Sequence, residues 1–133
     1  MTRPDAAPPP ALSAAAAALL PLLDAASLQR LRELDPGDRT GLIGRVLDTY
    51  VHSLARHAAE LAQARAAGDP DALRMVAHTL KSSSASVGAL ELSLACAEVE
   101  RLVREGAGAA LEAPLARLEA QLQRLLAAAG RLP

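Results

Sequence analysis

The sequence has almost no aromatic residues, with one tyrosine, no phenylalanine and no tryptophan among 133 residues. A hydrophobic core must therefore be built from leucine, valine and alanine, which fits the hydrophobic content of 51%. Strand-favouring residues are scarce, whereas the helix formers alanine, leucine, arginine and glutamate dominate. This composition predicts an all-α protein, and the length is that of one domain with a single core.

The chain also lacks an excess of charge, since 14 lysines and arginines face 15 aspartates and glutamates. Without a basic patch or interleaved aromatic residues, binding to nucleic acid is not expected. The single cysteine, Cys96, excludes an internal disulfide and supplies no metal cluster. Its position on an apolar helical stripe predicts a small buried side chain.

Long apolar runs are missing as well. The longest, from Ala14 to Leu23, contains Pro21 and falls short of the roughly 20 residues that a bilayer requires. We therefore expect a cytoplasmic protein with no membrane segment. The initiating Met1 favours a free-standing protein over a fragment of a longer one, and the apolar stripes, which one bundle can bury completely, favour a monomer.

Apolar residues recur at steps of three and four along most of the chain, which is the pattern of amphipathic helices. Residues 1–22 are Pro/Ala-rich and are expected to form a flexible tail with a short helix within Leu12–Leu20. A further short helix is expected from Asp24 to Leu34, with Leu28 and Leu31 on its inner side together with Leu34. The four main helices are expected over residues 39–67, 70–87, 90–105 and 110–128, with Asp38 as the cap of the first.

Short connections require neighbouring helices to run antiparallel. The predicted architecture is an up-down-up-down four-helix bundle within residues 23–129, with the extra short N-terminal helix as a lid and residues 130–133 as a C-terminal tail.

One predicted helix carries the residues of greatest chemical interest. Asp69 and Pro70 mark its start, and Gly88 marks its end. At about 100° per residue, His78 lies on the side opposite the apolar stripe that contains Val76 and Leu80. An exposed histidine is usually only a solvated surface residue, so a functional role for His78 must be argued from the residues around it.

Residues 78–84 of this helix read HTLKSSS, and residues 87–89 read VGA. This string resembles the H-x-L-K-G-S-[SA]-x-x-[LV]-G-A pattern of histidine-containing phosphotransfer (HPt) domains in multistep two-component signalling. The similarity extends from about Leu23 to about Ala129. The segment Cys96–Glu100 also resembles the C-x-x-L-E segment of the family, with Val99 at the position of the leucine. In one departure from the pattern, Ser82 occupies the position of the usual glycine.

The resemblance implies that His78 is the phosphoacceptor, taking a phosphoryl group from a receiver-domain aspartate of a sensor kinase and passing it to a response regulator. Imidazole is a suitable nucleophile near neutral pH. Lys81, one turn further on, is placed to stabilise the phosphate charge, and the small Ser82 gives access and a hydroxyl. The partner-binding surface is expected to include four further residues of this helix, Asp71, Arg74, Met75 and Ala85.

The sequence contains no P-loop, no Gly-rich nucleotide motif and no acidic cluster for Mg²⁺. The protein is therefore not expected to be a kinase on its own. The resemblance implies a phosphoryl carrier without a cofactor of its own, with Mg²⁺ held by the receiver partner.

Two alternatives remain open. One is a scaffold that binds receiver or kinase domains without phosphotransfer, and the other is a helical hydrolase or metal-binding bundle. The latter would need inward-facing His, Asp or Glu from several helices. Of the other histidines, His57 is expected to be packed and hydrogen-bonded, and His52 to be solvated.

Overall fold

The computed structural model describes residues 12–131, and within that range the protein is helical with no β-strand. Residues 1–11 of the predicted N-terminal tail and residues 132–133 of the predicted C-terminal tail lie outside the described part of the chain. The α-helices are α1 (Ala14–Leu19), α2 (Ala25–Glu33), α3 (Leu42–Ala67), α4 (Pro70–Val87), α5 (Leu90–Arg104) and α6 (Glu112–Ala128).

The four long helices form a bundle in which α4 packs against α3 and α5, and α6 packs against α5 and α3. Two residues, Gly68 and Asp69, join α3 to α4, and two more, Gly88 and Ala89, join α4 to α5. Because connections of this length force consecutive helices to reverse direction, neighbours in the bundle are antiparallel. The predicted all-α bundle is confirmed, and two short helices, α1 and α2, precede its four long ones.

Leucine dominates the core, as the lack of aromatic residues requires. The largest fully buried side chains include Leu47, Leu54, Leu61, Leu80, Leu92, Leu118 and Leu122. The one tyrosine, Tyr50, is also buried, and its hydroxyl forms a 2.7 Å hydrogen bond with the hydroxyl of Ser84. This bond links α3 to α4 on the inner side of α4.

The two short N-terminal helices are attached to the bundle at defined points. Ser13 caps α1 by accepting the Ala16 N–H at 3.0 Å, and its hydroxyl donates to Asp48 of α3. Leu19 of α1 is fully buried. At the other end, the N–H of Asp24, the cap of α2, donates to the carbonyl oxygen of Gly88 at 2.8 Å. The start of α2 therefore rests on the turn between α4 and α5.

The start of α3 differs from the prediction. The helix begins at Leu42 and not at residue 39, and Asp38 is not its cap. Instead the buried carboxylate of Asp35 accepts the N–H groups of Thr40 and Leu42 at 3.1–3.2 Å. These backbone hydrogen bonds, with the Leu42 bond contributing most, lower the pKa of Asp35.

Two smaller expectations were also wrong. Leu34 does not face inward but is 73% exposed, because α2 ends at Glu33. The last helix starts at Glu112, two residues later than predicted, because Gly108–Leu111 forms a 3₁₀ turn. Neither difference alters the bundle around α4.

Candidate functional site

Helix α4 has the limits that its sequence predicts. The Asp69 carboxylate accepts the N–H of Ala72 at 3.1 Å, Pro70 occupies the first turn, and Gly88 ends the helix in the left-handed conformation with φ of 87°. The inward stripe consists of Leu73, Val76, Ala77, Leu80, Ser84 and Val87. The opposite face of α4 is therefore available to solvent.

His78 lies on that outer face, where 62% of its side chain is exposed. Its Nδ1 atom is 3.0 Å from Oε2 of Glu100 on the neighbouring helix α5. Since an ionised carboxylate only accepts hydrogen bonds, this contact places a proton on Nδ1. In the neutral ring the other nitrogen, Nε2, then carries the lone pair, so the ring is oriented with a nucleophilic atom free.

Glu100 is the buried centre of the site, with only 4% of the residue exposed. While Oε2 holds His78, Oε1 accepts hydrogen bonds from Lys81 Nζ at 3.1 Å and from Arg104 Nη2 at 2.7 Å. Burial by itself would raise the pKa of Glu100, but the hydrogen bonds and charges of Lys81 and His78 outweigh it and lower the pKa. Glu100 is thus held as a carboxylate that links α4 to α5.

The other predicted site residues fall on both sides of His78. Lys81 lies toward α5, with its backbone carbonyl accepting the Ser93 hydroxyl at 3.0 Å. Ser82 and Ala85 are exposed beside the histidine. Asp71 and Met75 are exposed on the preceding turns, and Arg74 is half-buried. Their roles stay predictions, but all six share the outer part of α4 with His78.

Glu100 and Arg104 are site residues that the sequence prediction did not include. The family-like segment Cys96–Glu100 contained the signal for Glu100, and Arg104 follows it by four residues, the spacing of ion pairs on one helix face. Three polar side chains, Glu100, Asp35 and His57, are buried, and of these only His57 was predicted to be packed.

The predictions for Cys96, His57 and His52 can be compared with the structure one by one. Cys96 is buried, as predicted, and burial raises the pKa of its thiol to about 12. His57 is packed, as predicted, but its Nδ1 has no hydrogen-bond partner among the described residues. His52 is exposed, with Nδ1 3.0 Å from the carbonyl oxygen of Asp48 and 3.2 Å from Arg131 Nη2.

Within residues 12–131, no group of three or more His, Cys, Asp and Glu side chains is arranged to hold a metal ion. Over the same residues, no helix combines the length and apolar character needed to cross a membrane.

The lowered pKa of Glu100 predicts a pH-dependent contribution to stability. A carboxyl group whose pKa is lowered by folding stabilises the folded state above its ordinary pKa of 4.5, and this contribution is lost as the pH falls through the folded value. Wild type should therefore exceed Glu100→Gln in free energy of unfolding at neutral pH, and the difference should shrink in acid.

Urea denaturation at neutral pH and below pH 4.5 measures this difference, with Glu98→Gln on the same helix as the control. A difference between wild type and Glu100→Gln that grows on acidification would contradict the assignment of Glu100 as a stabilising carboxylate.

Comparison with known proteins places this geometry in a family. The Hpt domain model matches residues 45–128, which is more than half of the chain. The crystal structure of histidine-containing phosphotransfer protein B (HptB) from Pseudomonas aeruginosa PAO1 is similar with a TM-score of 0.69 and 29% sequence identity, covering 84% of this chain and 93% of that chain. No curated protein matches the chain. The family match spans α4 and α5, the two helices that build the site, and on this basis the chain belongs to the Hpt domain family of phosphotransfer relay proteins.

Proposed function

We propose that His78 accepts a phosphoryl group on Nε2 from the phosphorylated aspartate of a receiver domain and transfers it to the aspartate of a second receiver, in either direction. The observation that carries this proposal is the pairing of an exposed imidazole with a buried carboxylate through Nδ1. That contact leaves Nε2 without a protein partner on an exposed side chain, where the active site of another protein can supply the phosphoryl group.

In the proposed step the Nε2 lone pair attacks phosphorus. The N–P bond forms as the P–O bond to the aspartate breaks, and the aspartate leaves as a carboxylate with the bonding electron pair. The Nδ1 proton stays in place, so the phosphorylated ring carries a positive charge beside Glu100. The carboxylate therefore favours the phosphorylated ring electrostatically without accepting a proton.

Lys81 and Arg104 would supply the positive charge that the phosphoryl oxygens need. Both cations bind the same oxygen of Glu100, so two positive groups face one negative group and net positive charge remains near His78. The Arg104 side chain, on α5, is 65% exposed and can move toward a new anion, whereas the Lys81 side chain, on the same helix as His78, is 34% exposed. We assign Lys81 the main role and Arg104 a supporting one.

The remaining reactive groups would come from the partner receiver domain. We propose that the receiver domain holds both the acceptor aspartate and Mg²⁺, and that this chain acts in the cytoplasm as a monomer. Ser82 and Ala85 are small and exposed, so a neighbouring active site can approach the imidazole. Asp71, Arg74 and Met75 would contact the receiver on the turns before His78.

The test is phosphoryl transfer from purified receiver domains that have been phosphorylated with labelled acetyl phosphate and Mg²⁺. Wild-type protein should acquire label that is lost in acid, as a phosphohistidine is, and NMR of the product should place phosphorus on Nε2. Binding of receivers without any label would support a scaffold instead, and phosphorus on Nδ1 would contradict the role given to Glu100.

Lys81→Ala should slow this transfer about tenfold, which is about 1.4 kcal/mol of transition-state stabilisation, without abolishing it. Single-turnover kinetics with one receiver measures the effect. Arg101→Ala is the matched control, because it removes an exposed cation of α5 that pairs with Glu105 and does not bind Glu100. Equal rates for the two variants would show that Lys81 contributes only general positive charge.

A further inference from the structure

A groove of about 550 Å³ runs beside His78, between the second half of α3 and the first half of α4. Met75 and Thr79 form part of its wall. These two residues flank His78 in sequence, and on a helix both lie about 60–100° from it toward α3. A protein that covers His78 therefore also reaches this groove, which we call the α3–α4 groove.

The lining of the α3–α4 groove combines an apolar floor with acceptor groups. Its apolar part is made by Ala64, Ala67, Ala72, Met75 and Val76. The ionisable side chains that line it are His57, Glu60 and Asp69, and none of the described lining residues is a lysine or arginine. The surface thus differs from the α5 side of His78, where Lys81 and Arg104 lie.

His57 is the unusual member of this lining. The residue is 6% exposed, and its buried Nδ1 has no hydrogen-bond partner among the described residues. Oε1 of Glu60 lies 3.8 Å from Nδ1, which is too long for a hydrogen bond. Burial lowers the pKa of His57, which favours the neutral ring. At 3.8 Å the Glu60 carboxylate does not fix the tautomer as Glu100 does for His78, and the tautomer with its proton on Nε2 offers Nδ1 as an acceptor.

An unpaired buried polar atom costs about 1–3 kcal/mol, and a bound donor would recover part of this. We propose that the α3–α4 groove binds a lysine or arginine side chain of the partner receiver domain, with Glu60 and His57 as acceptors for its cationic head. The aliphatic stem would lie on the alanines and Met75, as long basic side chains do on apolar surfaces. Glu60 and His57 are then specificity-determining residues, and this inference rests on the proposed function.

Glu60 already pairs with Arg56, but this ion pair does not prevent the binding of a partner cation. Arg56 Nε lies 3.5 Å from Glu60 Oε1, but the Arg56 side chain is 66% exposed and that of Glu60 is 46% exposed. Ion pairs of this kind contribute about 0–1 kcal/mol. A partner cation that is also held by His57 and by the apolar floor can replace Arg56.

The test compares Glu60→Lys with Glu33→Lys, an identical change at an exposed glutamate of α2. Each protein is phosphorylated in two ways, by the receiver domains that label wild type and by phosphoramidate, a small donor that needs no protein contact. Glu60→Lys should lower the ratio of receiver-dependent to phosphoramidate-dependent labelling at least about tenfold, whereas Glu33→Lys should retain the wild-type ratio. Equal ratios for the two variants would overturn the proposal.

A second variant, His57→Leu, replaces the imidazole with an apolar side chain of similar bulk and so removes the acceptor. It should lower receiver-dependent labelling several-fold while its melting temperature stays equal to or above that of wild type, because no buried polar atom is left unpaired. Wild-type transfer by His57→Leu would overturn the role of the imidazole. Failure of wild type itself to accept label from any receiver would instead overturn the proposed function, so the two failures are distinguishable.

Discussion

His78→Gln should lose all receiver-dependent phosphorylation and remain folded. The glutamine side chain has no nucleophilic nitrogen, since its amide lone pair is delocalised into the carbonyl group. The side chain at position 78 is 62% exposed and does not belong to the inward stripe of α4, so the free energy of unfolding should change by less than about 1 kcal/mol. Labelling by phosphorylated receivers, together with a thermal melt followed by circular dichroism, measures both effects.

The matched control is His52→Gln, which makes the same change at another exposed histidine. This variant should accept label at the wild-type rate. Label on His78→Gln would mean that the phosphoacceptor is another residue, with His57 and His52 the next candidates. Unfolding of His78→Gln would show that the contact between His78 and Glu100 is required for the fold.

Gly88→Ala should cause the largest loss of stability of any glycine substitution in the bundle. Gly88 has φ of 87°, a conformation that L-residues avoid at a cost of about 1–2 kcal/mol. A Cβ atom here would also lie 2.9 Å from both the Asp24 backbone nitrogen and the Ser27 Cβ, so α2 would have to move. Such overpacking adds about 1–3 kcal/mol. We expect a total loss of about 3 kcal/mol, or about 10 °C in melting temperature.

Gly68→Ala separates the two causes. Gly68 ends α3 with φ of 60°, but a Cβ atom there would meet nothing within 4 Å. This variant should lose only about 1 kcal/mol, the cost of the backbone conformation alone. Chemical denaturation of both variants gives the comparison, and equal losses would show that the contact between α2 and the α4–α5 turn does not strain the alanine variant.

The parts of the fold that the sequence predicts well are those determined by neighbouring residues. The start and end of α4 follow from Asp69, Pro70 and Gly88, which act within one turn, and the exposure of His78 follows from its angle to Leu80. Leu34 shows the limit of the same method. Its spacing fits the apolar side of α2, but the helix ends before it and the residue lies in solvent.

The parts that could not be predicted depend on contacts between distant residues. Glu100 meets His78 across 22 positions of sequence, because α5 turns back along α4. Helical periodicity does not distinguish such a glutamate from one in solvent, and only the resemblance of Cys96–Glu100 to the family segment marked it. A buried carboxylate is improbable until its three partners are placed around it. The start of α3 is a similar case, since the carboxylate of Asp35 accepts the N–H of Leu42 and the predicted cap, Asp38, does not.

Because the chain has so few aromatic residues, its tyrosine signals come from a single position. Tyr50 is the one aromatic residue of types Phe, Trp and Tyr in the chain, and its buried hydroxyl is bonded to Ser84 on the helix that carries His78. Tyrosine fluorescence and near-ultraviolet circular dichroism therefore report on the core around Tyr50, where α3 packs against α4. Burial also raises the pKa of Tyr50, so phenolate absorbance in alkali will mark the opening of this contact. In a complex, any tryptophan emission will come from the partner, and docking can be followed without a label on either protein.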